Sequence, residues 1–178
     1  MKIIISSIPE DGLNLQFHKD GQWFQELLPE KERKEFSLQR VDVSCTVKRM
    51  RETLFINGRL ETAVASTCSR CLDATVIPVE STFKYSLVPA KERFSEEKEL
   101  SSEDLESGFY REDVMDLDGL IFEQIMLQIP IKVICKATCK GLCPHCGINL
   151  NAASCDCQAE SIDERLAVLK QFTVKAKK

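Results

Sequence analysis

The stretch CKATCKGLCPHCGINLNAASCDC, from Cys135 to Cys157, places six cysteines within 23 residues. At its centre, the run CPHCG that begins at Cys143 has the arrangement of a zinc knuckle. Proline and glycine favour a tight turn here, so that backbone N–H groups face the sulfurs of Cys143 and Cys146. Two thiolates at this spacing can bind one zinc ion at about 2.3 Å per Zn–S bond. The stretch therefore predicts a metal site.

A tetrahedral zinc ion needs four ligands, so each cysteine pair requires a second pair. The turn-forming run GINLN could bring Cys155 and Cys157 back to the knuckle. The two remaining cysteines of the stretch have a partner pair far upstream, in the run CSRC at residues 68–71. We therefore predict two zinc ions in two sites: a long-range site of Cys68, Cys71, Cys135 and Cys139, and a local site of Cys143, Cys146, Cys155 and Cys157. An alternative division, in which Cys135 or Cys139 joins the knuckle pair, stays open. Iron also stays open, because four thiolates suit both metals.

The composition is that of a globular protein in a reducing compartment. The 178 residues are 43% hydrophobic and 29% charged, and no apolar run is long enough to cross a membrane. We expect one domain, with at most a small appendage, and no membrane partner. The N-terminus turns polar too early for a signal peptide, which predicts a cytoplasmic protein. Nine cysteines in the cytoplasm indicate metal binding rather than disulfides, and the ninth, Cys45, alternates with valines and is predicted to be buried.

Periodicity predicts an α+β fold: an antiparallel β-sheet with a packed helix and a Cys-rich, zinc-binding C-terminal segment that ends in a helix. Alternating apolar residues predict strands at residues 1–8, 13–17, from 41 onward, 54–68 and 74–89. The run CSRC then lies at the end of an antiparallel hairpin. Within the long strand, Asn57 and Gly58 form either a hairpin turn or a bulge, and the bulge is the favoured interpretation.

Two helices complete the predicted fold. Residues 116–129 have helical apolar spacing and are followed by Pro130, and a capping box at residues 161–164 opens a C-terminal helix. We expect residues 1–134 to form the α+β sheet domain. Residues 135–178 are expected to form the zinc-binding segment plus the C-terminal helix, docked on the first part. An acidic flexible loop is expected at about residues 90–115, because this part of the chain is acidic and has few large apolar residues.

Basic side chains give local candidates for contact with nucleic acid, although the formal net charge of −4 argues against attraction of the whole protein to RNA. The densest basic point is the run KRMR at residues 48–51, which is either a solvated turn or a surface that faces phosphates. Other cations lie beside the cysteines, where they could contact RNA, pair with thiolates or serve solubility. The candidate nucleic-acid-binding residues are Lys48, Arg49, Arg51, Arg70, Lys136 and Lys140.

Three motifs resemble the YceD family of bacteria and plastids. They are the run CSRCL from Cys68, the run CKGLCPHCGINLN from Cys139 to Asn151, and the tail that joins CDC at Cys155 to IDERLAVL at Ile162. The resemblance covers most of the chain in order and spacing. It implies a ribosome-biogenesis factor that supports accumulation of large-subunit ribosomal RNA and 50S assembly. The implied partners are ribosomal RNA, a large-subunit ribosomal protein or an assembly intermediate.

The motifs of three enzyme classes are missing from the sequence. A zinc deaminase needs His-x-Glu and a water on the metal, but neither His18 nor His145 is followed by x-Glu. The cysteine pairs do not lie in the βαβ context of a thioredoxin-like enzyme, and His145 sits inside the knuckle, where it cannot serve a hydrolase. We therefore predict a non-catalytic protein without a small-molecule substrate. The alternative is a thiol-based redox or metal-handling protein.

Overall fold

A computed structural model describes residues 1–90 and 107–157. Within these ranges the strands are β1 (Lys2–Ile4), β2 (Leu13–Asp20), β3 (Ser37–Met50), β4 (Thr53–Thr67), β5 (Ala74–Pro89), β6 (Ser107–Tyr110) and β7 (Val114–Asp116). The helices are α1 (Gly21–Leu27) and α2 (Leu117–Gln128), and a 3-10 turn, Ile5–Ser7, follows β1. The elements confirm the predicted α+β class.

The main sheet has five strands in the order β2-β3-β4-β5-β6. Strands β2 to β5 form an antiparallel meander, and β6 is added parallel to β5. Strand β1 pairs with β7 in a separate antiparallel ribbon. The sheet is thus antiparallel as predicted except for its last strand, which makes it mixed.

Strands β3, β4 and β5 are long and bury one face. Alternate residues of β3, namely Val41, Val43, Cys45 and Val47, are all buried, while the residues between them face solvent or are half-buried. Cys45 therefore occupies the buried position that its alternation predicts. The opposite face of the sheet, here called the outer face, carries the polar residues of the same strands.

The two helices cover the buried face. Helix α1 begins after Asp20, whose carboxylate accepts a hydrogen bond from the Trp23 backbone N–H at 2.9 Å. Its Phe24 is fully buried and packs against Phe122 of α2, with the ring centroids 5.6 Å apart. Helix α2 buries Leu117, Ile121 and Ile125. The helix predicted at residues 116–129 is confirmed as a core helix.

Strand β4 runs without interruption through Asn57 and Gly58, so both the hairpin turn and the favoured bulge are wrong at these residues. The register irregularity between β3 and β4 lies instead between Leu38 and Val41. Packing across the sheet explains why position 58 is a glycine. A Cβ atom at position 58 would overlap the Phe83 ring and would lie 2.8 Å from the Cys45 Cβ atom. Phe83 therefore occupies the space that a side chain at position 58 would need.

The stretch that was expected to be an acidic loop up to about residue 115 contains strands β6 and β7 in its described part. The loop prediction is wrong for these residues, because backbone pairing with β5 and β1 compensates for their low apolar content. Residues 91–106 of this stretch lie outside the described residues, and so does the predicted C-terminal helix. In the described ranges, neither helix has the length and apolar character needed to cross a membrane.

Candidate metal centres

The turn between β4 and β5 holds the first two sulfurs of the long-range site. The Cys68 N–H donates to the Asp73 carbonyl, and the Leu72 N–H donates to the Cys68 carbonyl, both at 2.9 Å. Leu72 closes the turn with a φ of 62°, in the left-handed region. Cys68 and Cys71 are buried in this turn. The hairpin predicted on either side of the run CSRC is thus confirmed.

The second pair of sulfurs arrives from the segment that follows α2. The Ser69 N–H donates to the Val133 carbonyl at 2.8 Å, which holds this segment against the hairpin turn. The Cys71 Sγ atom lies 3.7 Å from that of Cys135, and the Cys68 Sγ atom lies 3.9 Å from that of Cys139. All four sulfurs lie within 4.8 Å of one another. The structure thus brings together the four residues of the long-range site.

The sulfur spacing fits a single tetrahedral ion. With Zn–S bonds of about 2.3 Å, two sulfurs of a tetrahedral site are about 3.8 Å apart. The separations of 3.7 and 3.9 Å lie on either side of this value. All nine cysteines are free thiols rather than disulfides. An iron–sulfur cluster would place several irons and sulfides between the thiolates and spread them further apart. The geometry therefore favours one ion over a cluster.

The local site is built from the knuckle and the tail of the described chain. The Cys143 N–H donates to the Ile148 carbonyl at 2.8 Å, and the Gly147 N–H donates back to the Cys143 carbonyl at 2.9 Å. Gly147 has a φ of +73°, which glycine adopts without strain. The sulfurs of Cys143, Cys146, Cys155 and Cys157 all lie within 4.8 Å of one another. This second group could also hold one metal ion.

The two groups differ in their exposure to solvent. In the long-range site Cys68, Cys71 and Cys139 are at most 5% exposed, and Cys135 is half-buried. In the local site only Cys143 is buried, while Cys146 and Cys157 are exposed. A chelator or an oxidant can therefore reach the local sulfurs directly, but it must open the structure to reach the long-range group.

Two asparagines of the turn-forming run GINLN link the groups, a role that the sequence did not predict. The Asn151 amide donates to the Cys139 sulfur at 3.4 Å and accepts from the Lys140 N–H at 2.9 Å. The Asn149 amide donates to both carboxylate oxygens of Asp73, at 2.9 and 3.0 Å, in the β4–β5 turn. The residues that connect the knuckle to Cys155 therefore support the long-range site.

Backbone and amide donors lower the pKa of one or two thiols in each group. The Cys135 backbone N–H and further N–H groups of the turn lower the pKa of Cys68 to about 6. The backbone N–H groups of Cys146 and His145 do the same for Cys143, whose pKa also falls to about 6. The Asn151 amide lowers the pKa of Cys139. Because a metal binds the thiolate and not the thiol, these donors favour the form that binds a metal.

The six candidate nucleic-acid contacts do not form one surface. Lys48, Arg49 and Arg51 lie at the turn between β3 and β4, whereas Arg70, Lys136 and Lys140 lie beside the long-range site. These places are at opposite ends of β4, roughly 45 Å apart along a strand of this length. All six side chains are exposed. At the metal end, the Arg70 guanidinium donates to the Cys139 carbonyl at 3.2 Å, which fixes it across the site.

A depression on the outer face has no catalytic arrangement among the residues that the structure describes. It measures about 420 Å³ and is lined by residues that include His18, Arg40 and Asp42. Arg40 contacts Asp42 at 2.6 Å, and Arg59, at the far side of the depression, contacts Glu61 at 2.8 Å. These ion pairs satisfy the charges that line the depression. Within the described ranges it contains no nucleophile held by a general base.

Comparison with known proteins gives one family. The family model described as "Large ribosomal RNA subunit accumulation protein YceD" matches residues 56–173, a range that contains all eight cysteines of the two groups. No solved structure matches the chain.

Among curated proteins, an uncharacterised protein of Mycobacterium tuberculosis (strain ATCC 25618 / H37Rv) is 27% identical over 132 residues, which cover 74% of this chain and 61% of the relative. The chloroplastic protein of Arabidopsis thaliana named "Large ribosomal RNA subunit accumulation protein YCED homolog 1" is 31% identical over 146 residues. That match covers 70% of this chain and 46% of the plant protein. The chain thus spans about half to three fifths of the length of these relatives.

Proposed function

The chain belongs to the YceD family, and we propose that it is a ribosome-biogenesis factor that supports accumulation of large-subunit ribosomal RNA and assembly of the 50S subunit. The support is the description of the family and the name of the plant relative, both of which refer to large ribosomal RNA subunit accumulation. The matched range includes the whole candidate metal region. On this proposal the chain acts in the cytoplasm, and neither a membrane nor a small-molecule substrate takes part.

The metal is proposed to be zinc, one ion in each group. The observation that carries this assignment is the pair of sulfur separations of 3.7 and 3.9 Å, close to the edge of a ZnS₄ tetrahedron. The ligands would be Cys68, Cys71, Cys135 and Cys139 in the long-range site and Cys143, Cys146, Cys155 and Cys157 in the local site. Bound there, zinc would supply a cross-link between chain segments. Residues 135–178 would thereby be docked on the sheet domain of residues 1–134.

The ligand sets support a non-catalytic role for the metal ions. Four thiolates occupy every position of a tetrahedral ion, so neither water nor a substrate carbonyl can bind to the metal. The protein would then act by binding ribosomal RNA, a large-subunit ribosomal protein or an assembly intermediate. Its cysteines would hold the binding surfaces in place.

Deletion of the gene in its own organism tests the function. We expect the ratio of large- to small-subunit ribosomal RNA to fall and the 50S peak to shrink in a sucrose gradient. The wild-type chain and Cys45→Ser should restore both, because Cys45 belongs to neither group. Cys68→Ser/Cys71→Ser should restore neither. An unchanged ratio of the two ribosomal RNAs in the deletion strain would contradict the proposal.

Native mass spectrometry tests the metal assignment separately. We expect two zinc ions per chain and the loss of one ion in either Cys71→Ser or Cys155→Ser. A single ion in the wild-type protein, or a metal-free protein with unchanged unfolding, would exclude the two-site assignment.

One observation favours a second candidate function, a thiol-based redox protein. Cys146 and Cys157 are exposed within the local group, where an oxidant can reach them. Hydrogen peroxide would take two electrons from two thiolates, form one disulfide and be reduced to water, and the zinc ion would be released. Zinc release that is reversed by a dithiol reductant, at peroxide concentrations close to those of the protein, would support this candidate. Loss of zinc only under a large excess of peroxide would exclude it.

A further inference from the structure

The outer face of the sheet carries exposed basic and aromatic side chains at the end near the β3–β4 turn. Lys48 of β3 lies directly opposite Phe55 of β4. Lys84 of β5 lies opposite Asn57, which is two residues beyond Phe55, so Lys84 projects from the same face. Both lysines are exposed. Phe55 therefore lies between two cations on one surface.

Phe109 extends this surface onto β6. Phe55 pairs with Ser86 of β5, and Val88, two residues further along β5, pairs with Phe109. Two strand spacings and an offset of two residues place the two rings roughly 12 Å apart on the same face. Phe55 is 37% exposed and Phe109 is 55% exposed. We call this surface the tip face, and its members are Lys48, Phe55, Lys84 and Phe109.

We infer that the tip face binds a single-stranded segment of ribosomal RNA, an inference that rests on the proposed function. Exposed aromatic rings on a sheet can stack with unpaired bases, which a double helix does not offer. Cations beside such rings can follow the phosphate backbone. From the Asn57–Lys84 pair to the turn, the described outer-face positions of β3, β4 and β5 contain no carboxylate. The surface thus has both the stacking groups and the charge that a single strand needs.

Three arginines elsewhere on the sheet and at the metal end already have partners. On the outer face closer to the metal end, Arg40 contacts Asp42, and Arg59 contacts both Glu61 and Glu80. At the metal end, Arg70 is anchored on the Cys139 carbonyl. If zinc is bound, each group has more thiolate charge than the ion neutralises, so the neighbouring lysines offset that charge. The tip face is therefore the better site for phosphates.

Fluorescence anisotropy with a labelled single-stranded RNA of mixed sequence, alone and annealed to its complement, tests the inference. We expect the zinc-loaded wild-type protein to bind the single strand more tightly than the duplex. Phe55→Ala should weaken binding by about tenfold, the loss expected for one stacked base. Lys48→Ala/Lys84→Ala should reduce the slope of log affinity against log salt by about 1.4, from two phosphate contacts.

The matched control is Lys31→Ala/Lys34→Ala, which removes the same charge from exposed positions between α1 and β3. We expect this pair to change affinity by less than about twofold, against a larger loss for the tip-face pair. The zinc content and the unfolding midpoint of each variant show that it is folded. If Phe55→Ala misfolds, Phe109→Ala supplies the second test of stacking.

Three results would overturn the inference. One is an equal loss of affinity in the two lysine pairs, and another is unchanged affinity in both folded phenylalanine variants. The third is a wild-type protein that binds no single-stranded RNA. If gene deletion still lowers large-subunit ribosomal RNA in that third case, the proposed function stands and a protein becomes the partner. Failure of the tip-face inference is therefore distinguishable from failure of the function.

Discussion

Replacing Cys68 and Cys71 by serine is expected to destabilise the whole sheet, whereas the same change at Cys155 and Cys157 is not. The sulfur pairs of the long-range site join residues that are 64 and 71 positions apart in the chain. Closing a loop of this length removes entropy from the unfolded chain worth about 4 kcal/mol, if the metal cross-link acts as a disulfide does. The local site closes only the loop of residues 143–157, which contains no strand of the main sheet and neither of the two helices.

Urea denaturation of the zinc-loaded proteins, followed by tryptophan fluorescence, measures this difference. Trp23 is the sole tryptophan of the chain and lies in α1, packed against the core. We expect the free energy of unfolding to fall by about 4 kcal/mol when Cys68 and Cys71 are replaced. The same relation gives about 3 kcal/mol for the short loop closed by Cys155 and Cys157. That loop contains no part of the sheet, so we expect the unfolding that Trp23 reports to change by less than about 1 kcal/mol when this second pair is replaced. Cys45→Ser is the matched control, because it places a hydroxyl in the core without removing a cross-link.

Equal losses in the two double variants would refute the reasoning, because the two loops enclose such different parts of the chain. The reasoning would also be refuted if Cys68→Ser/Cys71→Ser lost no more stability than Cys45→Ser. In that case the long-range group would not act as a cross-link in the folded protein.

Three further predictions concern single features. Asn151→Ala removes the amide that donates to Cys139, so we expect the zinc affinity of the long-range site to fall by roughly 10- to 100-fold in chelator competition; unchanged affinity would contradict this. In the reduced, metal-free protein, ultraviolet thiolate absorbance should rise with a step near pH 6, because the pKa values of Cys68 and Cys143 are lowered to about 6. Ionised Cys68 and Cys143 stabilise the fold at a pH above the unfolded cysteine pKa, because their pKa values are lower in the folded state. This stabilisation should be lost as the pH falls through about 6. A single absorbance step near pH 9 would exclude these lowered pKa values. Gly58→Ala should lower the free energy of unfolding by about 1 to 3 kcal/mol, because the new Cβ atom overlaps Phe83; urea denaturation measures it, and an unchanged midpoint would show that the ring can move aside.

The sequence predicted the parts of the fold that local patterns encode. Strand β5 begins and ends at the predicted residues 74 and 89, because its apolar alternation is bounded by the CSRC turn and by a proline. Gly58 was misjudged because a glycine in a strand usually marks a bulge, while its real cause, the Phe83 ring, lies on the neighbouring strand. Strand β6 was missed for a related reason. Its four residues form a strand through pairing with β5, not through an apolar pattern of their own.

In the candidate sites, too, local sequence predicted some features, while others depend on residues that are distant in the chain. Spacing alone was enough to nominate eight cysteines and to favour the grouping that the sulfur positions display. The contribution of Asn149 and Asn151 could not be predicted, because their partners Asp73 and Cys139 become neighbours only when the hairpin meets the tail. The separation of the basic residues into two surfaces likewise depends on the length of β4. The alternative of a hairpin turn at Asn57 and Gly58 had left that length open.

The position of α2 explains why a metal at the end of the sheet bears on the core. The helix has 12 residues, a length that is marginal for an isolated helix in water. Before it, β7 pairs with β1, and the Leu117 N–H donates to the Met1 carbonyl at 3.1 Å. After it, the chain reaches Val133, which is bound to the hairpin turn, and then enters the long-range site. The helix is therefore held at both ends while Ile121 and Ile125 fill the core between them. Metal at the long-range site would fix the second of these ends, so the cysteines contribute to a core that they do not enter.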